Sequence, residues 1–380
     1  MMRTYFLFFV FGACSAQCSS QSKSTALLAA SNHVPAFHVN ASHALLIDMS
    51  TGQALIEHNA DKKMTPSSMT KILTAYILFD ALQNERIGLD EKVDVSKHAA
   101  RQEGSRMFLI PHQSVSVQDL IKGIVVVSGN DACTAAAEHI EGQEEVFAQK
   151  MNAVAKQLGA CHSHFVNASG LPHEDHYSTC WDLARISMAT IDQFPKAYEK
   201  YYSMKEFCFN KINQPNRNTL LQTGADGMKT GQSSAGKFGM VVSEKRNGRR
   251  LLLVINGCPT ARARGHEARR LLNIGFQQFH PLVLTKGMPV VSIPVWRGPP
   301  IQAVVGKEVK RSLGPGQKNV VITACYTSPV RGCVKPGDVV GSLRIDIPGT
   351  DSFDIPLHAK NGTKPGFFKR FVHGCARLFR

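Results

Sequence analysis

The 380-residue sequence lacks the features that mark metal-framework, membrane-spanning or nucleic-acid-binding proteins. Its 10 cysteines include no C-x-x-C pair, which argues against a structural metal site. Beyond the first residues, no apolar run approaches the roughly 20 residues that a membrane-spanning helix needs. The basic residues form no aromatic-interleaved stripe of the kind that nucleic-acid modules use. We therefore expect no cofactor, no metal and no nucleic-acid partner.

Acidic residues are also scarce, since 29 Asp and Glu stand against 44 Lys and Arg, for a net charge of +15. The resulting pI near 9.4 favours a negatively charged partner, such as an anionic polymer or membrane surface. A hydrophobic content of 43% is ordinary for a globular protein and excludes wholesale disorder. The length is sufficient for two or three domains.

The N-terminal segment predicts export. Residues 1–18 have the pattern of a signal peptide, because Arg3 is followed by the apolar stretch 5–13 and then by small residues. Cleavage after Ala16 is one possibility, and lipidation of Cys14 as the first mature residue is the alternative. We expect the protein to be exported to a periplasm-like compartment.

The C-terminal segment predicts a membrane contact. Residues 364–380 begin with the helix breaker Lys364-Pro365-Gly366, and on a helical wheel they place phenylalanines on one side and basic residues on the other. Such an amphipathic helix suits an anionic membrane interface. A terminal helix docked on the protein is the alternative. We expect a peripheral protein on the periplasmic face of the inner membrane.

Between these two terminal segments the composition and periodicity of the sequence change once. Residues 38–282 combine β-hairpin signals with long helical stretches, which predicts an α+β domain. The hairpins are expected at residues 43–59 and around the turn Asn247-Gly248. Helices are expected at 66–84, 116–127, 131–140, 144–159, 179–191 and 262–279. Residues 283–360 contain short runs with frequent Pro and Gly, typical of a small all-β domain.

Two groups of side chains are weaker candidates, one for a zinc site and one for a disulfide bond. Four histidines crowd one stretch: His162, His164, His173 and His176. A zinc site there is a minor alternative, because the surrounding residues are typical of turns rather than of a helix that presents ligands. Cys325 and Cys333 flank a short segment and are placed to bridge a hairpin, although free thiols are the simpler interpretation.

Three serines stand three residues before a lysine: Ser20/Lys23, Ser68/Lys71 and Ser234/Lys237. The first pair follows the signal sequence and the third lies in a glycine-bounded turn. The second pair opens a predicted helix, since Thr65 can cap it and Pro66 suits its first position. There the amine of Lys71 can reach the hydroxyl of Ser68, because residues three apart are neighbours on a helix.

Burial among apolar residues would lower the pKa of Lys71 and make it a general base. Helix geometry leaves the hydroxyl that it activates open, because Ser67 groups with Thr70 and Lys71 lies between Ser67 and Ser68. A capping serine beside a surface lysine is the structural alternative.

Two later segments supply further polar groups. Ser128-Gly129-Asn130 follows a very apolar run, and offers a hydroxyl that can relay protons and an amide that can hold a peptide. Lys229-Thr230-Gly231 precedes a strand hairpin, where the lysine and threonine can bind a carboxylate and the glycine lets a substrate approach the strand edge. Ordinary polar turns are the structural alternative for both.

In this order the three segments match S-x-x-K, S-x-N and K-T-G, the motif set of serine penicillin-recognising enzymes. From about residue 40 onward the sequence resembles the low-molecular-mass penicillin-binding proteins that act as D-alanyl-D-alanine carboxypeptidases. "LLIDMSTGQALIEHNAD", "SGNDAC" and "DGMKTG" carry much of the likeness. The resemblance implies a serine β-lactamase/transpeptidase-like domain, with an antiparallel sheet and helices, followed by a small all-β domain and an anchoring helix.

The resemblance also implies roles for individual residues. Ser68 would attack the carbonyl between two D-alanines, with Lys71 as its base. Ser128 would relay the proton to the departing D-alanine, and Asn130 would hydrogen-bond the substrate. Alignment with the motif, rather than helix geometry, favours Ser68 over Ser67 as the nucleophile.

Substrate recognition is assigned in the same way. The backbone N–H groups of Ser68 and Gln232 would form the oxyanion hole, and Gly231 would border the substrate. Lys229 and Thr230 would face the terminal carboxylate. The family's carboxylate-binding arginine corresponds to Arg264, with Arg262 as a near alternative. Arg217 would give structural support. The expected partners are peptidoglycan stem peptides ending in D-Ala-D-Ala, with β-lactams as inhibitors.

Departures from the family pattern leave two other functions to consider. Gln232 stands where the family often has histidine, which matters little if only its backbone acts, and Pro172 replaces an acidic residue of some members. A β-lactamase of the same fold would need a deacylating carboxylate, for which Glu174 is the nearest candidate. A catalytically inactive peptidoglycan-binding protein is the third interpretation.

Overall fold

The structure is a computed structural model that describes residues 37–296 and 298–363. The predicted signal peptide (1–18) and amphipathic helix (364–380) lie outside the described residues. The chain divides after Gln278 into two compact units. No helix within the described ranges is long and apolar enough to cross a membrane.

The first unit is built on a five-stranded antiparallel sheet of order β2-β1-β9-β8-β7. Its strands are β1 (His43–Asp48), β2 (Gln53–His58), β7 (Ala225–Ser233), β8 (Lys237–Arg246) and β9 (Arg249–Cys258). Two small hairpins accompany it: β3 (Lys92–Asp94) with β4 (Ser114–Ser116), and β5 (Glu206–Phe209) with β6 (Ile212–Pro215). Because β7 is an edge strand, one row of its backbone groups stays available to a ligand.

This unit contains eight α-helices among its described residues. They are α1 (Lys71–Gln83), α2 (Lys97–Ala100), α3 (Val117–Val125), α4 (Asn130–Glu141), α5 (Glu144–Gln157), α6 (Cys180–Gln193), α7 (Pro195–Tyr202) and α8 (Ala261–Gln278). Of these, α1, α6, α7 and α8 contact the sheet. Two-residue alternation along β1 sends Leu45 and Ile47 into the core that contains α1 and α6, while Leu46 lies against α8 on the opposite face. The sheet is therefore buried on both faces.

Helix α1 runs through the core rather than along the surface. Nearly all of its side chains are buried, including Ile72, Leu73 and Phe79. Its start differs from the expectation: residues Ser67–Thr70 form a separate 3-10 turn before α1, and Thr65 provides no side-chain cap. We call Ser67–Thr70 the catalytic turn, after the catalytic role predicted for Ser68. The expectation of one helix capped by Thr65 was therefore wrong at its first turn.

The second unit contains only strands among its described residues. The strands β10 (His280–Leu284) and β13 (Val309–Leu313) pair with each other. A five-stranded antiparallel sheet contains, in spatial order, β11 (Pro289–Val295), β12 (Gly298–Val305), β16 (Phe353–Ala359), β15 (Val339–Asp346) and β14 (Val321–Tyr326). Its core is aliphatic, with Ile293, Ile301 and Leu357 fully buried. Cys325 and Cys333 are both free and exposed, so the hairpin disulfide is not formed.

Candidate active site

A cleft of about 960 Å³ in the first unit brings the three motifs together. The catalytic turn, the segment before α4, the edge strand β7 and the start of α8 each contribute to its lining. From the predicted site it contains Ser68, Ser128, Thr230, Gly231, Gln232, Arg262 and Arg264. Lys71, Asn130 and Lys229 are buried beneath these groups.

Lys71 lies at the bottom of the site, with its side chain almost completely buried. Its Nζ lies 3.0 Å from Ser68 Oγ, and donates to Asn130 Oδ1 at 2.8 Å and to the carbonyl oxygen of Ser169 at 2.6 Å. A neutral amine has two N–H groups and one lone pair. Since two of the three neighbours are acceptors only, the lone pair of neutral Lys71 is left facing the hydroxyl of Ser68.

Burial also favours the neutral form of this lysine. Desolvation, with a further contribution from the charge of Arg217, lowers the pKa of Lys71 from 10.5 to about 8, although Cys133 and nearby acids act in the opposite direction. A lysine with this pKa is partly neutral at neutral pH. It can therefore accept a proton from a neighbouring hydroxyl.

The structure distinguishes Ser67 from Ser68, the choice that helix geometry left open, and it also shows the contact of the neighbouring Thr70. Ser67 Oγ donates to Ser233 Oγ at 2.8 Å, and Thr70 Oγ1 lies 2.9 Å from His176 Nε2. Only Ser68, among these, has its oxygen at hydrogen-bond distance from Lys71 Nζ in the described chain. Ser68 is also partly exposed to the cleft, whereas Ser67 and Thr70 are buried.

The second motif lies beside this pair. Ser128 has a positive φ of 65°, and its buried Oγ has no hydrogen-bond partner within the described residues. Such an unpaired hydroxyl at the cleft wall is available to a substrate. Asn130 begins α4 and is oriented by its Nδ2 group, which donates to the carbonyl of Glu103 at 2.6 Å. That contact turns Oδ1 of Asn130 toward Lys71.

The third motif lies within the edge strand β7, which directly precedes the hairpin of β8 with β9, as the sequence suggested. Lys229 is buried, and its Nζ donates to the carbonyl of Thr230 at 3.2 Å. Burial, followed by the charges of Lys71 and Arg217, holds its pKa well below the ordinary value. Gly231 permits close packing on the catalytic turn, because a Cβ there would lie 2.9 Å from the carbonyl oxygen of Pro66.

Three arginines of the described chain line the cleft, namely Arg217, Arg262 and Arg264. Together with Lys229 they form what we call the cationic wall. Arg264 is buried, and its Nε has no partner among the described residues. Arg262 lines the same cleft but is exposed, so Arg264 is the better placed of the two for an anion. Arg217, predicted as structural support, also lines the cleft and donates to Ser105 Oγ at 2.6 Å.

Several contributors were missed at the sequence level. The carbonyl of Ser169 holds Lys71, and a backbone carbonyl carries no sequence signal. Asp131, which is fully buried, accepts from the N–H groups of Met107 and Leu109, and so fixes the segment beside Asn130. Its position directly after Asn130 in the motif was the available signal.

The four crowded histidines make separate contacts. His176 is buried and bonded to Thr70, while His164 Nδ1 donates to the backbone carbonyl oxygen of Asp175. In the residues that the structure describes, no group of three or more His, Cys, Asp or Glu side chains could hold a metal ion. The zinc alternative therefore has no structural support.

Comparison with known proteins identifies the family. The family described as D-alanyl-D-alanine carboxypeptidase matches residues 29–260. The chain is 37% identical over 357 residues to D-alanyl-D-alanine carboxypeptidase DacC of Escherichia coli, covering 90% of this chain and 89% of the relative. The chain belongs to the D-alanyl-D-alanine carboxypeptidase family. DacF of Bacillus subtilis is 32% identical, covering 87% of this chain and 88% of the relative.

Solved structures of the family have the same fold. Penicillin binding protein 5 from Haemophilus influenzae matches with a TM-score of 0.71 at 32% identity, covering 86% of this chain and 98% of that one. Penicillin binding protein 6B from Escherichia coli matches with a TM-score of 0.70, also at 32% identity, covering 84% and 95%. The resemblance based on the three motifs is therefore confirmed, as is the predicted α+β fold with its all-β second domain.

Proposed function

We propose that this family member is a serine-type D-Ala-D-Ala carboxypeptidase that removes the terminal D-alanine from peptidoglycan stem peptides. One observation carries the proposal: Lys71 Nζ lies 3.0 Å from Ser68 Oγ, while two carbonyl oxygens hold its N–H groups. Ser68 Oγ attacks the carbonyl carbon of the penultimate D-alanine, and the hydroxyl proton passes to Lys71. The serine becomes covalently attached through an ester.

The leaving group needs a proton when the peptide C–N bond breaks. Ser128 Oγ is buried at the cleft wall without a partner among the residues that the structure describes, and it can pass the proton taken up by Lys71 to the nitrogen of the departing D-alanine. A water molecule then attacks the ester carbonyl and releases Ser68. The backbone N–H groups of Ser68 and Gln232 are assigned to the oxyanion in both steps.

The cationic wall selects substrates with a free terminal carboxylate. Lys229 and Thr230 lie on β7. Arg264 lies on α8, and its Nε has no partner in the described part of the chain. A carboxylate between them neutralises buried positive charge, which supports both binding and orientation. The same groups suit the carboxylate of a β-lactam, whose ring carbonyl Ser68 would attack to form a stable adduct.

No observation favours the β-lactamase alternative. Glu174 is exposed and borders a separate cavity with Lys63 and Tyr177, rather than the cleft that contains Ser68. A glutamate in that place is not positioned to activate water at the acyl-enzyme. The intact contacts of Lys71 likewise favour an active enzyme over an inactive binding protein.

We place the enzyme on the periplasmic face of the inner membrane. This rests on the sequence of residues 1–18, which has the pattern of an export signal, and on the amphipathic pattern of residues 364–380. Fractionation of cells that express the full chain and a chain ending at residue 363 tests the second point. We expect the truncated chain to leave the membrane fraction.

Turnover of diacetylated Lys-D-Ala-D-Ala tests the activity. We expect the wild-type protein to release one D-alanine for each peptide consumed. Ser68→Ala, which keeps the cleft and Lys71, should release none. Penicillin turnover is the comparison. Rapid penicillin hydrolysis without release of D-alanine would contradict the proposal and favour the β-lactamase.

A further inference from the structure

A loop on the far side of Lys71 contacts the catalytic turn and α1 at three points. We call residues 165–177 the support loop. The carbonyl of Ser169 accepts from Lys71 Nζ at 2.6 Å, and the carbonyl of Ala168 accepts from Thr74 Oγ1 at 2.6 Å. The third contact uses a side chain, since His176 Nε2 lies 2.9 Å from Thr70 Oγ1.

The contacts of His176 define its tautomer. The N–H of Val166 donates to Nδ1 of His176 at 3.2 Å, so Nδ1 carries the lone pair. Nε2 therefore carries the hydrogen and donates to Thr70 Oγ1. The ring is 2% exposed and packs edge-to-face against Phe165, with centroids 5.6 Å apart. One imidazole thus joins the two ends of the support loop to the residue before Lys71.

Burial keeps this imidazole neutral. Desolvation, followed by the nearby charges of His164, His173 and Lys71, lowers the pKa of His176 to about 4. The donor and acceptor arrangement therefore persists through the pH range in which a carboxypeptidase would work.

The support loop has little freedom to move without losing its contact with Lys71. Gly170 has a φ of +80°, and a Cβ there would overlap the carbonyl of Ser67 and lie 2.8 Å from Thr70 Oγ1. Asn167 Oδ1 accepts from the N–H of Gly170 at 2.7 Å, which stiffens the loop internally. A shift at the His176 end is thus transmitted to the carbonyl of Ser169.

We infer that His176 is a positioning residue for acylation, because it fixes the support loop whose Ser169 carbonyl orients the lone pair of Lys71 toward Ser68. The inference rests on the proposed function. Without His176 the loop can move away, and an N–H of Lys71 is then free to turn toward Ser68. Carboxylate recognition uses β7 and α8, so substrate binding should be unaffected.

Stopped-flow acylation by a fluorescent penicillin separates the rate constant of acylation from the preceding binding constant. We expect His176→Ala to lower the acylation rate constant about tenfold or more, as loss of one buried hydrogen bond implies. The binding constant should change less than about twofold, since a positioning residue acts on the chemical step. Rates are expressed per titratable active site, so that partial unfolding does not imitate the effect.

Two further variants distinguish positioning from general packing. His176→Gln retains one amide donor and one acceptor, and should recover most of the lost rate. Thr70→Val keeps the volume of the partner but removes its hydroxyl; it should reproduce the His176→Ala effect, and the two changes should not add. His173→Ala, an exposed histidine of the same loop, is the matched control and should be silent.

The inference is overturned if His176→Ala acylates at the wild-type rate per active site, or if His173→Ala is equally slow. It is also overturned if the loss lies in binding alone. Should His176→Ala fail to fold, Thr70→Val decides by the same criteria. Failure of the proposed function is distinguishable, because the wild-type protein itself would then form no adduct on Ser68.

Discussion

The pH dependence of acylation should follow the ionisation of Lys71. Burial lowers its pKa from 10.5 to about 8. The attacking hydroxyl needs the neutral amine, so the rate should rise about tenfold per pH unit in acid and level off above about pH 8. At pH 7 about one-tenth of the molecules hold a neutral lysine, about 300-fold more than at the ordinary pKa, equivalent to about 3 kcal/mol.

The assay is the first-order rate constant of acylation at saturating fluorescent penicillin, from about pH 5.5 to 9.5. Saturation removes the contribution of Lys229, whose own depressed pKa would weaken carboxylate binding in alkali. Arg217→Gln provides a directional check. The charge of Arg217 lowers the pKa of Lys71, so the Arg217→Gln protein should show the midpoint of its pH–rate profile at higher pH. Circular dichroism across the range confirms that the fold is intact.

A rate that is constant between about pH 5.5 and 9, or a midpoint near 10, would contradict a general-base role for a Lys71 of lowered pKa. The first result would mean that Lys71 is not the base. The second would mean that its burial does not favour the neutral amine.

Three further experiments, which use four substitutions, test other parts of the site. Ser67→Ala should retain acylation, because its hydroxyl donates to Ser233, whereas Ser68→Ala should form no penicilloyl adduct by mass spectrometry. Arg264→Ala should weaken the binding constant for penicillin about 10- to 100-fold with a smaller effect on the acylation step, measured by stopped flow. Asp131→Asn should lower stability by about 3 kcal/mol in thermal or urea unfolding, because the buried carboxylate accepts from three backbone N–H groups.

Each has an outcome that would contradict it. If the Ser67→Ala protein formed no penicilloyl adduct, the nucleophile would be Ser67 rather than Ser68. An unchanged binding constant for Arg264→Ala would leave the carboxylate to Lys229 and Thr230 alone. A wild-type melting temperature for Asp131→Asn would mean that the segment beside Asn130 is held by other contacts.

Local sequence signals predicted the parts of the fold that local chemistry specifies. The hairpins of β1 with β2 and of β8 with β9 follow from their turn residues, and α3 to α6 follow from helical periodicity. Helix α7 (Pro195–Tyr202) and the hairpin of β5 with β6 were not predicted. Both are short, so their stability comes from packing that periodicity does not report.

In the site, too, local motifs predicted some features, while others depend on contacts between distant segments. Motif spacing brought Ser68, Lys71 and Asn130 into one prediction, and the structure places them in contact. Sequence did not reveal the 3-10 geometry of the catalytic turn, where Ser67 has a positive φ of 49° under the close approach of Gly170. That geometry depends on a loop about 100 residues away in the chain, and no local pattern records it.

The carbonyl of Ser169 is the clearest case of what the sequence omits. Any residue at that position supplies the same oxygen, so the third contact of Lys71 becomes visible only when the loop is seen against the helix. The position of His176 is similar: its type was noticed, but its partner Thr70 was not.

Localisation of the covalent adduct shows whether Ser68 is the nucleophile. The full-length protein is incubated with penicillin, digested, and its modified peptide fragmented by tandem mass spectrometry, which resolves Ser67 from Ser68. We expect one penicilloyl group, on Ser68. An adduct on Ser67, or no covalent adduct at all, would contradict this expectation.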